Sequence, residues 1–243
     1  MSTEAHRTQA DPGGLNIIQA NAPQVPATPT FAMLRTLGVI AMISGLLVAM
    51  AYEITAPIIA ESERIATEQA VLRIIPGAVS KRDFTISPEG LVPAGQAAGA
   101  GGQTIYAAYD AAGQLKGLAI TGVGTGYAGP LQVMFAYDAA LQAIVGSKVL
   151  KSNETPGFGD KLDTDPTFLK NFEALDARLN AEGTALANPI VTVKNGTKTD
   201  PWQIDAITGA TISSRAMGKA ANQAAQRAAP AIQRGLAILS QPE

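Results

Sequence analysis

The chain is 243 residues long, enough for one good-sized domain plus extensions. Its 18 basic and 20 acidic side chains give a net charge of −2, which offers no electrostatic footprint for nucleic acid. With no cysteine, it excludes thiolate-ligated iron–sulfur clusters, cysteine zinc sites, thiol catalysis and covalent c-type haem. With one histidine, His6, it also excludes a histidine triad or a multi-histidine metal site. Redox chemistry would therefore fall to a bound organic cofactor.

Residues 1–30 are polar and contain Pro12, Pro23, Pro26 and Pro29, the composition of a disordered tail. From Thr36 to Tyr52 run 17 uncharged residues, including Leu37, Val39, Ile40, Ile43, Leu46, Leu47 and Val48. As a helix they span roughly 26 Å, and Phe31–Leu34 lengthen the apolar stretch if Arg35 snorkels. The segment 31–56 is thus expected to be a single transmembrane helix. Ala49-Met50-Ala51 would also suit a cleaved signal sequence, but a thirty-residue polar stretch ahead is long for a signal, which favours a retained anchor. A buried core helix is disfavoured because the run has no polar face. Arg35 before the helix and Glu53, Glu61 and Glu63 after it place the tail in the cytoplasm and the C-terminal portion outside.

Residues 57–77 read as a linking amphipathic helix that begins after Pro57, carries Ile58, Ile65, Leu72 and Ile75 on one face and ends at Pro76-Gly77. A domain over 78–243 follows. Residues 87–103, rich in Gly, Ala and Pro, read as a flexible insertion. The five letters Ala-Tyr-Asp-Ala-Ala occur at 108–112 and again at 136–140. Each copy joins partly alternating runs, 104–109 to 115–121 and 131–137 to 143–150, so two hairpins are expected. Gly122–Pro130 between them is a glycine-rich connection, weak as a nucleotide fingerprint because no helix follows it.

Asp165-Pro166 should open a helix with a cap and a proline at its first position, and Phe168, Phe172, Leu175 and Leu179 form a core stripe at helical spacing. Ile190–Val193 is a short strand, and Asn195-Gly196 a turn. The apolar strand Trp202–Ile207 then meets the small-residue turn Thr208-Gly209-Ala210-Thr211. An alanine-rich helix is expected from Ser213 or Ser214, with Met217, Ala220, Ala221, Ala224 and Ala228 on one face and an interruption at Pro230 before Ile232, Leu236 and Leu239. Free N–H groups and the positive end of a helix dipole favour an anion at such a turn, and Gly209 and Ala210 allow close approach of a phosphate. Taken by itself, the turn is equally an ordinary loop and cap.

Two segments carry a resemblance. Asp205-Ala206-Ile207-Thr208-Gly209-Ala210-Thr211 resembles the flavinylation motif of the FMN-binding domain family, with Thr208 where serine is common. Glu154-Thr155-Pro156-Gly157-Phe158-Gly159 resembles the segment that lies against the flavin in redox subunits of that family, with Phe158 in place of leucine. Gly126-Tyr127-Ala128-Gly129-Pro130 also fits the family. Asp160-Lys161 is closer to the G component of Rnf electron transport complexes than to the C component of the sodium-pumping NADH:quinone reductase.

The resemblance implies an α+β chain: one N-terminal transmembrane helix, then an extracytoplasmic FMN-binding domain of antiparallel hairpins packed with helices. It implies FMN esterified through its phosphate to Thr211 by a flavin transferase that uses FAD. Asp205, Thr208, Gly209, Ala210, Glu154, Thr155, Pro156, Gly157 and Phe158 complete the cofactor site, with no catalytic side chain and no metal. By the same resemblance the chain is a single-pass flavoprotein of the bacterial inner membrane, its domain on the periplasmic side. It would be an electron-relaying member of a multi-subunit ferredoxin:NAD oxidoreductase that translocates ions, and an enzyme only as part of that complex. The alternatives are the C component of the quinone reductase and a membrane-anchored assembly or ligand-binding module without flavin.

Overall fold

The computed structural model describes residues 29–87, 90–94, 102–157 and 159–240, so most of the expected tail and part of the expected insertion lie outside the described residues. The chain divides into two compact units, Met1–Ala56 and Pro57–Glu243. The described part of the first unit lies almost wholly within helix α1 (Thr30–Ile74). Leu37, Ile40, Ile43, Leu46 and Leu47 are all exposed there. Among the described residues, α1 alone is long and apolar enough to cross a membrane. Its Thr36 and Thr55 hydroxyls donate back to the carbonyls of Ala32 and Ala51 at 2.9 and 2.8 Å, which hides polar hydrogens from an apolar surround. An exposed, all-round apolar helix suits lipid as its solvent and fits a membrane anchor.

In the second unit, α1 runs on from Pro57 to Ile74, so the expected helix at 57–77 is not a separate one, although the division between the units falls at the expected 56/57. Proline removes one donor, that of the bond to the Glu53 carbonyl, and Ile58–Ile74 contain no glycine or second proline to extend the break. The expected apolar face is correct only at its end. Val71 and Ile75 are buried, whereas Ile58 and Ile65 are exposed.

A seven-stranded antiparallel sheet follows, in the order β2-β1-β3-β4-β5-β6-β7. Its strands are β1 (Ser80–Ser87), β2 (Gly90–Pro93), β3 (Thr104–Tyr109), β4 (Leu115–Thr125), β5 (Pro130–Asp138), β6 (Ala143–Ser152) and β7 (Leu175–Asp176). The two expected hairpins are β3–β4 and β5–β6, and β4 also pairs with β5 across the glycine-rich connection. β1 was hidden because three of its eight residues, Lys81, Arg82 and Asp83, are charged. Arg82 lies 4.1 Å from the Tyr109 ring centre and Lys81 5.2 Å from that of Tyr106, so its cations rest on aromatic faces. β2 corrects the reading of 87–103 as an insertion: Gly90–Pro93 pair with β1, and Leu91 is buried.

Alternation along the strands sorts the side chains onto two faces. Ile105, Leu118, Ile120, Val133, Phe135 and Tyr137 join one core, covered by helix α4 (Thr211–Leu239). Ala108, Ala119, Met134 and Ala136 form the other, covered by Ala70, Val71 and Ile75 at the end of α1.

Beyond β6 come α2 (Lys161–Thr164), α3 (Pro166–Leu169) and a 3-10 turn at Lys170–Phe172. As expected, Asp165 caps α3, accepting from the N–H groups of Thr167 (2.8 Å) and Phe168 (3.3 Å), with Pro166 at the first position. The stripe Phe168, Phe172, Leu175 is buried core, but it does not ride on one long helix. The Asn171 side chain donates to the Phe168 carbonyl at 2.9 Å and competes with helical continuation, so Leu175 reaches the core from β7. A two-stranded parallel pair, β8 (Val191–Val193) and β9 (Gln203–Asp205), precedes α4.

α4 runs through Pro230 without interruption. Its flanks Ala228, Ala229, Ala231 and Ile232 are all buried, and that packing outweighs one missing hydrogen bond. The helix lies close to the sheet because both sides are small. A Cβ on Gly122 or Gly124 would fall 2.8 Å from the carbonyl carbon of Ala220 or Ala216. At its far end the Tyr109 hydroxyl donates to the Leu239 carbonyl at 2.8 Å. Gly124→Val should therefore push the first turns of α4 off the sheet and destabilise the domain by about 1–3 kcal/mol, measured as a lowered denaturation midpoint. An unchanged midpoint would mean that the helix has room to spare.

Candidate functional site

The turn between β9 and α4 is held from several sides. Asp205 donates its N–H to Asn171 Oδ1 at 3.0 Å, and its carboxylate accepts the N–H groups of Thr197 (3.2 Å) and Lys198 (3.1 Å). The Asn195 amide donates to the Ala206 carbonyl at 2.9 Å. Ile207 N–H donates to the Ser214 hydroxyl at 3.0 Å, and that hydroxyl donates to the Ala210 carbonyl at 2.9 Å. Gly209 has φ +86°, where a side chain would be strained.

These bonds correct the expected helix start. α4 begins at Thr211 with Ala210 at the cap position and no side-chain cap, because Ser214 is turned back onto the loop and Ser213 is engaged elsewhere. Thr211 is therefore the first residue of the helix rather than the last of the loop. No side chain caps the N–H groups of this first turn, which leaves them available to an outside acceptor.

Thr211 borders a cavity of about 530 Å³ lined by Tyr127, Glu154, Thr155 and Gly209–Ser213. Glu154 closes one wall: its carboxylate accepts from the Ser213 hydroxyl at 2.7 Å and from Ala128 N–H at 3.3 Å. A Cβ at Gly126 or Gly159 would collide with the Glu154 side chain, so glycine at both positions makes room for it. Thr155–Gly159 is a turn closed by Gly159 N–H on the Thr155 carbonyl at 3.0 Å, with Pro156 and Gly157 exposed. Phe158 lies outside the described residues.

Of the residues singled out in the sequence, Glu154, Thr155, Gly209, Ala210 and Thr211 converge on this cavity. Asp205 and Thr208 do not. They line a second cavity, of about 680 Å³, on the other side of the loop, together with Lys161, Lys170, Asn171 and Lys198. Burial pushes the Lys198 ammonium below the usual lysine range, with the Asp205 charge acting the other way. The smaller cavity is the candidate site, since it holds the Thr211 hydroxyl and the uncapped helix start. Two of its members carried only weak sequence signals. Tyr127 is a lone exposed aromatic in a glycine turn, and Ser213 looked like a helix cap.

Residues 126–226 match the protein family described as "FMN-binding domain". The matched segment contains the loop, the Glu154 wall and the first half of α4. The chain is similar to the G component of the Na(+)-translocating ferredoxin:NAD(+) oxidoreductase complex of Acetobacterium woodii, with 35% identity over 115 residues, 47% of this chain and 50% of that one. It is also similar to the G component of the ion-translocating oxidoreductase complex of Cereibacter sphaeroides, with 31% identity over 132 residues, 52% of this chain and 55% of that one. The Methanosarcina acetivorans protein of the same description is 34% identical over 119 residues, 49% and 55% of the two chains. The chain thus spans about half the length of these relatives. In fold it resembles Shewanella oneidensis NqrC (TM-score 0.53, 18% identity, 74% of this chain and 98% of that one). It also resembles the C component of the Na(+)-translocating NADH-quinone reductase of Parabacteroides distasonis (TM-score 0.53, 20% identity, 75% and 94%).

The residues fit the cofactor the family implies. A cavity of about 530 Å³ is within the range of small-molecule sites, its open helix start suits a phosphate, and Tyr127 and Ile212 offer apolar surface to a ring. Asp205 stands apart as a support. Asp205→Ala should leave two N–H groups without their acceptor and destabilise the domain by about 1–3 kcal/mol, while Asp205→Asn, which keeps the Oδ1 acceptor, should lose less. Thermal unfolding of the two variants checks this, and equal melting temperatures would contradict it.

Proposed function

We propose that this chain is a membrane-anchored flavoprotein subunit of an ion-translocating ferredoxin:NAD oxidoreductase (Rnf) complex, holding FMN as a phosphoester on Thr211. The observation that carries the reading is the half-buried Thr211, first residue of an uncapped helix, at the edge of a cavity walled by Glu154 and Thr155. The sequence similarity to G components of such complexes favours this assembly over the quinone reductase, to whose C component the likeness is one of fold.

The attachment is a phosphoryl transfer. A flavin transferase supplies FAD, the Thr211 oxygen bonds to the FMN phosphorus, and AMP leaves with the broken pyrophosphate bond's electron pair. The hydroxyl proton passes to the transferase or to solvent. Thr211 is then a tether, which keeps the site filled without a free flavin supply. The first-turn N–H groups and the helix dipole stabilise the phosphodiester charge, the dipole by about 0.3–1 kcal/mol. When bound, the flavin supplies the one- and two-electron chemistry that the side chains lack. Glu154, latched to Ser213, holds the opposite wall together with Thr155.

The apolar part of α1 anchors the chain in the bacterial cytoplasmic membrane as a single pass. Arg35 ahead of it, with Glu53, Glu61 and Glu63 behind it, supports a periplasmic domain, whose flavin passes electrons between other members of the complex.

Co-expression of the full chain with a flavin transferase should give a band that fluoresces on a denaturing gel. Thr211→Val should abolish the fluorescence with a stability change within about 0.5 kcal/mol, because the residue is partly exposed. Retained fluorescence would assign the flavin to another residue. Protease added to spheroplasts should cut the C-terminal domain, and protection would reverse the orientation.

A further inference from the structure

The charge balance of the Thr211 cavity is one-sided. Among the described residues its lining holds one carboxylate, Glu154, and no cation. On the reading that Thr211 carries a phosphodiester, loading places a second negative charge in the same cavity. Glu154 cannot swing away freely, because the Ser213 hydroxyl and Ala128 N–H hold its carboxylate and Gly126 and Gly159 close around it. Two anions sharing a partly enclosed cavity repel, and a helix dipole offsets only part of that. The loaded site therefore calls for a cation that the lining does not contain.

We propose that Arg215 is that cation, the counter-ion of the flavin phosphate. Arg215 stands four residues after Thr211, and side chains at that spacing are neighbours on a helix surface. Thr211, Ile212, Arg215 and Lys219 form the uncovered stripe of the first turns of α4, while Ser213, Ser214, Ala216, Met217 and Gly218 are buried against the domain. Long helical side chains lean toward the helix N-terminus, which aims Arg215 over the turn that begins at Thr211. Its guanidinium makes no hydrogen bond or ion pair with any described residue, so no existing contact must break. A planar fork of N–H groups matches two phosphate oxygens, which a lysine ammonium one turn further along, such as Lys219, does not. Arg215 lies outside both sequence segments that carry the flavin resemblance.

The test uses the full chain in detergent, exposed to a flavin transferase and FAD. Two readouts are followed: covalent flavin fluorescence against time, and the phosphorus NMR resonance of the loaded product. Arg215→Gln should load about tenfold more slowly, and the resonance of its product should move away from that of the wild type. Arg215→Lys should recover most of the rate, and Lys219→Gln should match the wild type in both readouts. An Arg215→Gln product with an unchanged resonance would overturn the proposal whatever its rate, since slow loading alone would assign Arg215 to the encounter with the transferase. Equal effects of Arg215→Gln and Lys219→Gln would also overturn it, in favour of a diffuse charge effect. A wild-type chain that takes up no flavin would instead remove the Thr211 reading on which the proposal rests.

Discussion

The close approach of α4 to β4 is the constraint on which the rest of the domain depends. Gly122 and Gly124 remove two side chains from the strand where Ala220 and Ala216 of the helix come down on it. The helix is thereby fixed in distance and direction within three turns of its start. Its first residue then meets the 126–129 turn at the end of β4 and the Glu154 loop at the end of β6. Three pieces of chain far apart in sequence converge because one helix is pressed against one strand. The burial of Ala216, Ala220, Ala221 and Ala224 makes this contact apolar as well as close.

Local bonding then shapes the start of that helix. Serines that would ordinarily cap it are used otherwise: Ser214 ties the loop to itself, and Ser213 binds Glu154. The helix N-terminus is left with an alanine cap and N–H groups that no side chain engages, beside a threonine hydroxyl. Asp205 supports this from behind, holding the turn after β8 through two backbone N–H groups. The loop accordingly has two sides, a supporting one with Asp205, Asn171 and Lys198 and an accepting one with Thr211. Of these, the accepting side alone borders the cavity that suits a flavin.

Much of this was legible in the sequence, and what was not has physical reasons. The repeated Ala-Tyr-Asp-Ala-Ala turn marked β3 to β6 because a polar turn brackets two partly alternating apolar runs, although both faces of the central strands are covered. β1 was illegible because its cations lie on aromatic rings that only the folded sheet supplies. Pro57 and Pro230 marked breaks that did not form, since long flanking helix outweighs one lost hydrogen bond. The stripe from Phe168 was correct as core and incorrect as helix, because Asn171 diverts the backbone. At the site, the motif resemblance picked out Thr211 and Glu154, which the fold brings to one cavity. Tyr127 and the Ser213 contact needed the fold, because they reach the cavity from separate chain segments.

On the proposed reading, anchor, cavity and helix start together make a domain that holds a flavin at a membrane. The central claim is the covalent bond at Thr211. The most direct measurement is mass spectrometry of the peptide containing Thr211, taken from protein matured in its native host. The account predicts that peptide carrying the mass of FMN less one water, with fragmentation placing the addition on Thr211. An unmodified peptide, or an addition on another residue, would contradict it.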